Sequence, residues 1–312
     1  MSVIKIDDYQ PSLTLFNLDK NLKETIKLYK TSKFPKVLML SGEKGIGKLT
    51  LIYHFLVYLF DEKNYNLSNC QINQNSLFYK QCLINISSNV IYVKCSDLKN
   101  SKVEDIRNLK STVLKTSTSE KERFIVFDDI ELLNINSLNA LLKIIEEPTS
   151  KNNFILINNK RKKVIDTVKS RSLEFKIILS NTQRLDIIKS LIKKNGIDPV
   201  SIDFNTSNIS PGNFLRFNDI CIKHKIDINN DYFKNIFLLL SLYKKEKNLN
   251  IMDLILYLTE NYFYNLSKKK TTNLDKILED KSFIINNLNN FILFNINQNS
   301  LINAINNRFL NE

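Results

Sequence analysis

Three glycines and a lysine have the types and spacing to hold phosphate. Gly42, Gly45 and Gly47 fall within "SGEKGIGKLT" (41–50), and Lys48 follows at once. They are three of only five glycines in the chain, so their concentration is local. Glycines so placed let a loop turn until successive backbone N–H groups face one anion, and a helix starting there adds partial positive charge. A lysine behind them reaches the outer phosphates of a nucleotide. The pattern G-x-x-x-x-G-K-[ST] lacks its last member, because Leu49 stands where Ser or Thr would ligate Mg²⁺. Thr50 is adjacent, but one step along a helix turns a side chain by about 100°. Phosphate binding is expected here, with metal-assisted hydrolysis compromised.

A second group lies in "RFIVFDDIELL" (123–133). Asp128 closes an apolar run and is placed to hold Mg²⁺, directly or through water. Asp129 follows where a Glu would polarise an attacking water. It is one methylene shorter, and misplacing a base by about 1 Å costs on the order of a hundredfold. An acidic turn after a strand is the simpler alternative.

Such groups need strands that end in a row. Val37–Leu40, Ile91–Val93, Phe124–Phe127, Phe154–Ile157 and Leu173–Ile178 are short apolar runs of strand type. Helical stretches separate them, among them Leu22–Tyr29, Leu49–Phe60 and Ile135–Glu147, the last stopped by Pro148. This alternation predicts an α/β domain with a parallel five-stranded sheet covered on both faces over 1–178. Beyond it Asn181–Lys194 is amphipathic and ends at Asn195-Gly196, and Ser210-Pro211-Gly212 reads as a turn or helix start. Apolar residues at helical spacing then continue from Asp231, as in Phe233, Ile236, Phe237 and Leu240. A small helical domain over 179–226 and a helical bundle over 227–312 are expected. Lys268–Lys270 with Thr271 and Thr272 reads as an exposed loop.

Composition sets outer bounds. The chain has 312 residues, 43% of them hydrophobic, which is enough for two or three cored domains. Its formal charge of +13 favours an anionic partner such as nucleic acid, although Lys, Asn and Ile are abundant throughout. Met1–Gln10 has no long apolar core, and Leu49–Phe60 is too short to span a bilayer, so a soluble cytoplasmic protein without membrane contact is expected. Cys70, Cys82, Cys95 and Cys221 form no C-x-x-C pair, so neither a disulfide framework nor a zinc ribbon is signalled.

"INSLNALLKIIEEPTSKNNFILINN" and the later "VKSRSLEFK" carry a family resemblance. Asn139, Ala140, Leu141, Leu142, Lys143, Glu146, Glu147 and Pro148 match the N-A-L-L-K-x-x-E-E-P helix of the bacterial clamp loaders, which are AAA+ proteins. Ser170-Arg171-Ser172 resembles their Ser-Arg-Cys motif with its third residue changed. The likeness covers about residues 12–220, and the C-terminal third is similar only in being helical. It implies a loader that uses ATP to open a ring-shaped sliding clamp on primed DNA. Each ATP lies between neighbouring subunits, and the Arg of Ser-Arg-Cys projects onto the neighbour's ATP.

Carried onto this chain, the resemblance makes Arg171, beside Ser170, an arginine finger acting in trans. It gives Asn159, with Asn158 as fallback, the polar sensor position after the fourth strand. The second sensor, usually an Arg, aligns with Gly212, with Arg216 one turn later. The four-Cys zinc module is not matched, so zinc is not expected. Motor subunits of the gamma/tau type keep the hydroxyl, the Glu and the sensor Arg. Delta-prime subunits have a decayed ATP site and an intact finger, which is the pattern of Leu49, Asp129, Gly212 and Arg171.

A non-motor, delta-prime-like subunit of the DNA polymerase III complex is therefore expected, with ATP weakly held or absent in its own site and Mg²⁺ only alongside a nucleotide. It would be no ATPase by itself but a component of the holoenzyme. Its partners would be gamma/tau-type motor and delta subunits, the sliding clamp and, through the complex, primer–template DNA at a cytoplasmic, nucleoid-associated replisome. The bundle over 227–312 would form an oligomerising collar, and Lys160–Lys163 would face DNA phosphates or solvent alone. The alternatives are an ATP-hydrolysing motor subunit and a basic nucleic-acid-binding AAA+ protein outside replication.

Overall fold

The computed structural model describes residues 10–96, 122–146, 151–197, 208–228, 231–268, 273–294 and 296–309. The helix stop expected at Glu147-Pro148 and most of the loop expected at 268–272 lie outside them. The chain divides into two compact units. Of the described residues, one holds those up to Lys189 with Ser210–Gly212, and the other holds those from Ser190 to Ile209 and from Asn213 onward.

The first unit is built on five parallel strands. In chain order its elements are α1 (Asp19–Lys30), β1 (Val37–Ser41), α2 (Lys48–Phe60), a short antiparallel pair β2 (Tyr65–Asn66) and β3 (Gln71–Ile72), and α3 (Leu77–Leu83). β4 (Val90–Lys94), β5 (Arg123–Asp128), α4 (Ile135–Glu146), β6 (Asn152–Asn158), α5 (Asp166–Lys169), β7 (Leu173–Lys176) and α6 (Asn181–Asn195) follow. The sheet order is β4-β5-β6-β1-β7, with every pairing parallel. This is the expected sheet, and its strands run a residue or two beyond most of the apolar runs that announced them.

Alternation along β5 splits the core into two layers. Phe124 meets α1 and α2 in an aromatic cluster, with Phe55 at 5.8 Å and Phe34 at 5.9 Å between ring centroids. Tyr29 and Phe60 close the same cluster. Ile125 and Phe127 point the other way, into a core with Leu138, Leu141, Leu142 and Ile145 of α4. A central strand buried on both faces must be apolar throughout, and β5 is so from Phe124 until Asp128.

The second unit is helical. It holds the end of α6 and most of α7 (Pro211–His224), then α8 (Tyr232–Glu246), α9 (Leu249–Ser267), α10 (Leu274–Phe294) and α11 (Gln298–Phe309). Asp231 caps α8, its carboxylate accepting from the Lys234 N–H at 2.9 Å, which satisfies a donor the helix leaves open. Tyr232 stacks on Tyr262 at 4.1 Å and Phe233 meets Phe309 at 5.3 Å, so α8 touches both α9 and α11. Among the described residues no helix is long and apolar enough to cross a membrane.

Candidate functional site

The strand order decides where the chemistry gathers. β6 lies between β5 and β1, so the ends of these three strands bring together Asp128, Asn159 and the loop after Ser41. Ligands of open parallel sheets bind at this carboxyl edge.

The loop keeps the shape its glycines predict. Gly45 has φ 87° and Gly47 φ 96°, both in the left-handed region. Lys48 opens α2 and is 3% exposed. Its Nζ donates to Gly42 O at 2.8 Å and to Glu43 O at 2.6 Å, which curls the loop around the amine. Burial lowers the Lys48 pKa to about 8, against the opposing pull of Asp128, Glu131, Asp129 and Glu43. Leu49 and Thr50 are both half-buried.

Neighbouring segments brace the outside of the loop. Arg184 of α6 approaches Glu43 at 3.6 Å. Ser210 Oγ donates to Lys44 O at 2.6 Å, and the Gly212 N–H donates to Gly45 O at 2.8 Å. A Cβ at Gly212 would lie 2.8 Å from Gly45 Cα. A side chain at the start of α7 would therefore strike the loop backbone.

Both oxygens of Asp128 are engaged by its own surroundings. Oδ2 accepts from Tyr92 OH at 3.0 Å. Oδ1 accepts from the Asp129 N–H at 2.9 Å and from Asn159 Nδ2 at 3.3 Å. Asn159 Nδ2 also donates to Asp129 Oδ1 at 2.8 Å. Burial and then the charge of Asp129 push the Asp128 carboxyl above its usual range. Asp129 itself sits at φ 57°, a left-handed turn that Asp tolerates. The fallback position, Asn158, is turned elsewhere, its Nδ2 donating to Ser41 Oγ at 3.3 Å.

Glu131 is a third carboxylate here that sequence reasoning passed over. It is 4% exposed and accepts the Asn159 N–H at Oε2, 3.1 Å away, while Oε1 is buried without a hydrogen-bond partner. Burial raises its pKa, and the charge of Arg161 acts against that. Its place three residues after Asp128 was a readable signal. Tyr92 gave none, because it comes from the adjacent strand, where it pairs with Val126.

Arg171 lies away from this cluster, between α5 and β7, with a side chain 42% exposed. Its Nε meets Glu146 Oε1, at the end of α4, at 2.6 Å. Nη1 donates to Thr167 O at 3.1 Å and to Ser170 Oγ at 3.4 Å. Ser170 Oγ in turn donates to Thr167 O. Of the basic run, Lys160, Lys162 and Lys163 are exposed and Arg161 is half-buried.

These residues fit a phosphate better than a metal. The left-handed glycines and the buried ammonium make an anion cradle at a helix N-terminus. Leu49 offers no oxygen, and both Asp128 oxygens already accept hydrogen bonds. Among the described residues no group of three or more His, Cys, Asp or Glu could hold a metal ion. Cys70, Cys82, Cys95 and Cys221 are free and buried, and burial pushes the thiols of Cys82 and Cys221 up to about 12.

Comparison with known proteins points to one family. A family profile described as "DNA polymerase III, delta subunit" matches residues 18–180. The chain is 30% identical over 173 residues to the DNA polymerase III subunit gamma of Buchnera aphidicola subsp. Schizaphis graminum, a match spanning 54% of this chain and 45% of that one. It is 27% identical over 243 residues to the subunit delta' of the same organism, spanning 74% and 68%. The chain thus spans less than half the length of the first of these relatives. Among solved structures, a gamma subunit-related protein from Thermotoga maritima aligns with a TM-score of 0.47 and 12% identity, covering 92% of this chain and 96% of that one.

Proposed function

Since the chain belongs to the DNA polymerase III delta-subunit family, a clamp-loader family of AAA+ proteins, we propose that it is a delta-prime-like, non-motor subunit. In this reading it supports ATP-driven loading of the sliding clamp onto primed DNA and does not itself turn ATP over. The observation that carries the reading is the state of its own metal position. Leu49 replaces the hydroxyl, and both Asp128 oxygens are engaged, by Tyr92, Asn159 and the Asp129 N–H. Without the loop hydroxyl and with both Asp128 oxygens engaged, the site is poorly built to clamp a metal on a triphosphate as motor subunits do.

What this chain's residues would do is hold and donate. The loop would cradle phosphate through its N–H groups and Lys48, if weakly. Arg171 would place a guanidinium on the ATP of a gamma/tau-type neighbour, where charge builds on the transferring group. The delta subunit, the clamp and primer–template DNA complete the partners, and the helices of 227–312 would form the collar beyond a small domain at 179–226.

Two measurements test the reading. The purified chain should show ATP turnover far below that of a gamma/tau-type subunit, and Lys48→Ala should leave it unchanged. Turnover near the motor rate, abolished by Lys48→Ala, would establish the motor reading instead, which the gamma relatives and the intact Lys48 cradle favour. In a reconstituted loader, Arg171→Ala should slow the ATP site it serves by about 10³. An unchanged DNA-stimulated ATPase rate would remove the trans role.

A further inference from the structure

We propose that Glu146 is a positioning residue for the Arg171 guanidinium. The inference rests on the reading of Arg171 as a finger acting in trans. An arginine presents five N–H donors on one rigid plane, so fixing two of its nitrogens aims the third. Here two nitrogens are held. Nε is held by Glu146 Oε1 at 2.6 Å, and Nη1 by Thr167 O and Ser170 Oγ. Nη2 makes no hydrogen bond among the described residues, which leaves it for an anion outside the chain.

The two anchors differ in kind. Thr167 O and Ser170 Oγ lie on α5 and the turn after it, within four residues of Arg171. Glu146 is the last residue of α4, a different element packed on the sheet core through Leu141, Leu142 and Ile145. Among the described residues, that contact is the one that ties the guanidinium to a segment outside its own helix and turn. An exposed ion pair contributes little to stability. Its value lies in orientation, because a reacting group held loosely by about 1 Å loses much of its effect. The placement also assigns a use to the first of the paired glutamates in the motif that ends α4.

The test uses the reconstituted loader with gamma/tau-type and delta subunits. Each variant is first shown to co-purify with them and to keep its thermal midpoint. Arg171→Ala is measured first. If it leaves DNA-stimulated ATPase unchanged, the finger reading itself has failed, and the role of Glu146 falls with it. If Arg171→Ala slows the reaction, Glu146→Ala should lower kcat about three- to tenfold with KM for ATP unchanged. Glu146→Gln, which keeps an acceptor oxygen, should recover most of that loss. The double variant should be no slower than Arg171→Ala alone. An unchanged or faster Glu146→Ala loader, a Gln variant as slow as Ala, or additive losses would each overturn the inference while the finger reading stands.

Discussion

Asp128 shows how one residue type changes meaning with its surroundings. A carboxylate at a strand end suits a metal, yet this one is wrapped by Tyr92, Asn159 and a backbone N–H and pushed above its usual pKa by burial. An acid whose folded pKa is raised binds its proton more tightly when folded. Its folded state is therefore favoured below the unfolded pKa, and that advantage is lost as pH rises through the raised value. At neutral pH the buried charge is a cost. Asp128→Asn removes that cost and keeps the partners, since the Tyr92 hydroxyl can turn to accept. The variant should melt about 2–4 °C higher at pH 7, a change of about 1 kcal/mol. The gain should vanish toward pH 4, and a midpoint lowered at pH 7 would contradict the account. Calorimetry across that range decides it.

Among the elements, the start of α7 carries a tight constraint. Proline is common in the first turn of a helix, but here Pro211 is followed by a residue pressed against another backbone. Gly212 donates to Gly45 O, and an added Cβ would lie 2.8–2.9 Å from Gly45 backbone atoms, which have no flexible end to yield. Gly212→Ala should destabilise the chain by about 1–3 kcal/mol in urea unfolding, the usual cost of overpacking. Gly196→Ala is the comparison, because nothing lies within 4 Å of its Cβ position and only its φ of +59° resists substitution. Its cost should be about 1 kcal/mol. Equal costs would mean that strain at the loop is not what Gly212 relieves. The same contact gives a physical reason why no arginine stands at this position.

For the whole molecule the net charge of +13 is the dominant long-range feature. Exposed lysines next to the functional edge would add to it at Lys160, Lys162 and Lys163. A phosphate contact shows itself in salt dependence, with a slope of about 0.9 per phosphate neutralised on duplex DNA. A loader carrying Lys162→Glu and Lys163→Glu should bind primed DNA with a slope shallower by about 1–2. An unchanged slope would make the run a solvated loop. Arg161 is left out of this test because its charge acts on Glu131.

The linear pattern of residues was enough for the strands, the glycine loop and the helical second half, because each is a local property. Short apolar runs, left-handed glycines and helical spacing act over a few neighbours. It was also enough to single out Leu49 and Asp128 by type. What tertiary structure alone decided are the contacts between distant segments. Sheet order brought β6 between β5 and β1 and so placed Asn159, not Asn158, against the two aspartates. Tyr92 reached Asp128 from the next strand, Gly212 met Gly45 from a segment far along the chain, and Glu146 met Arg171 from another helix. None of these pairs has a spacing rule, since packing sets which segments meet. That is the difference between a residue able to do chemistry and one placed to do it.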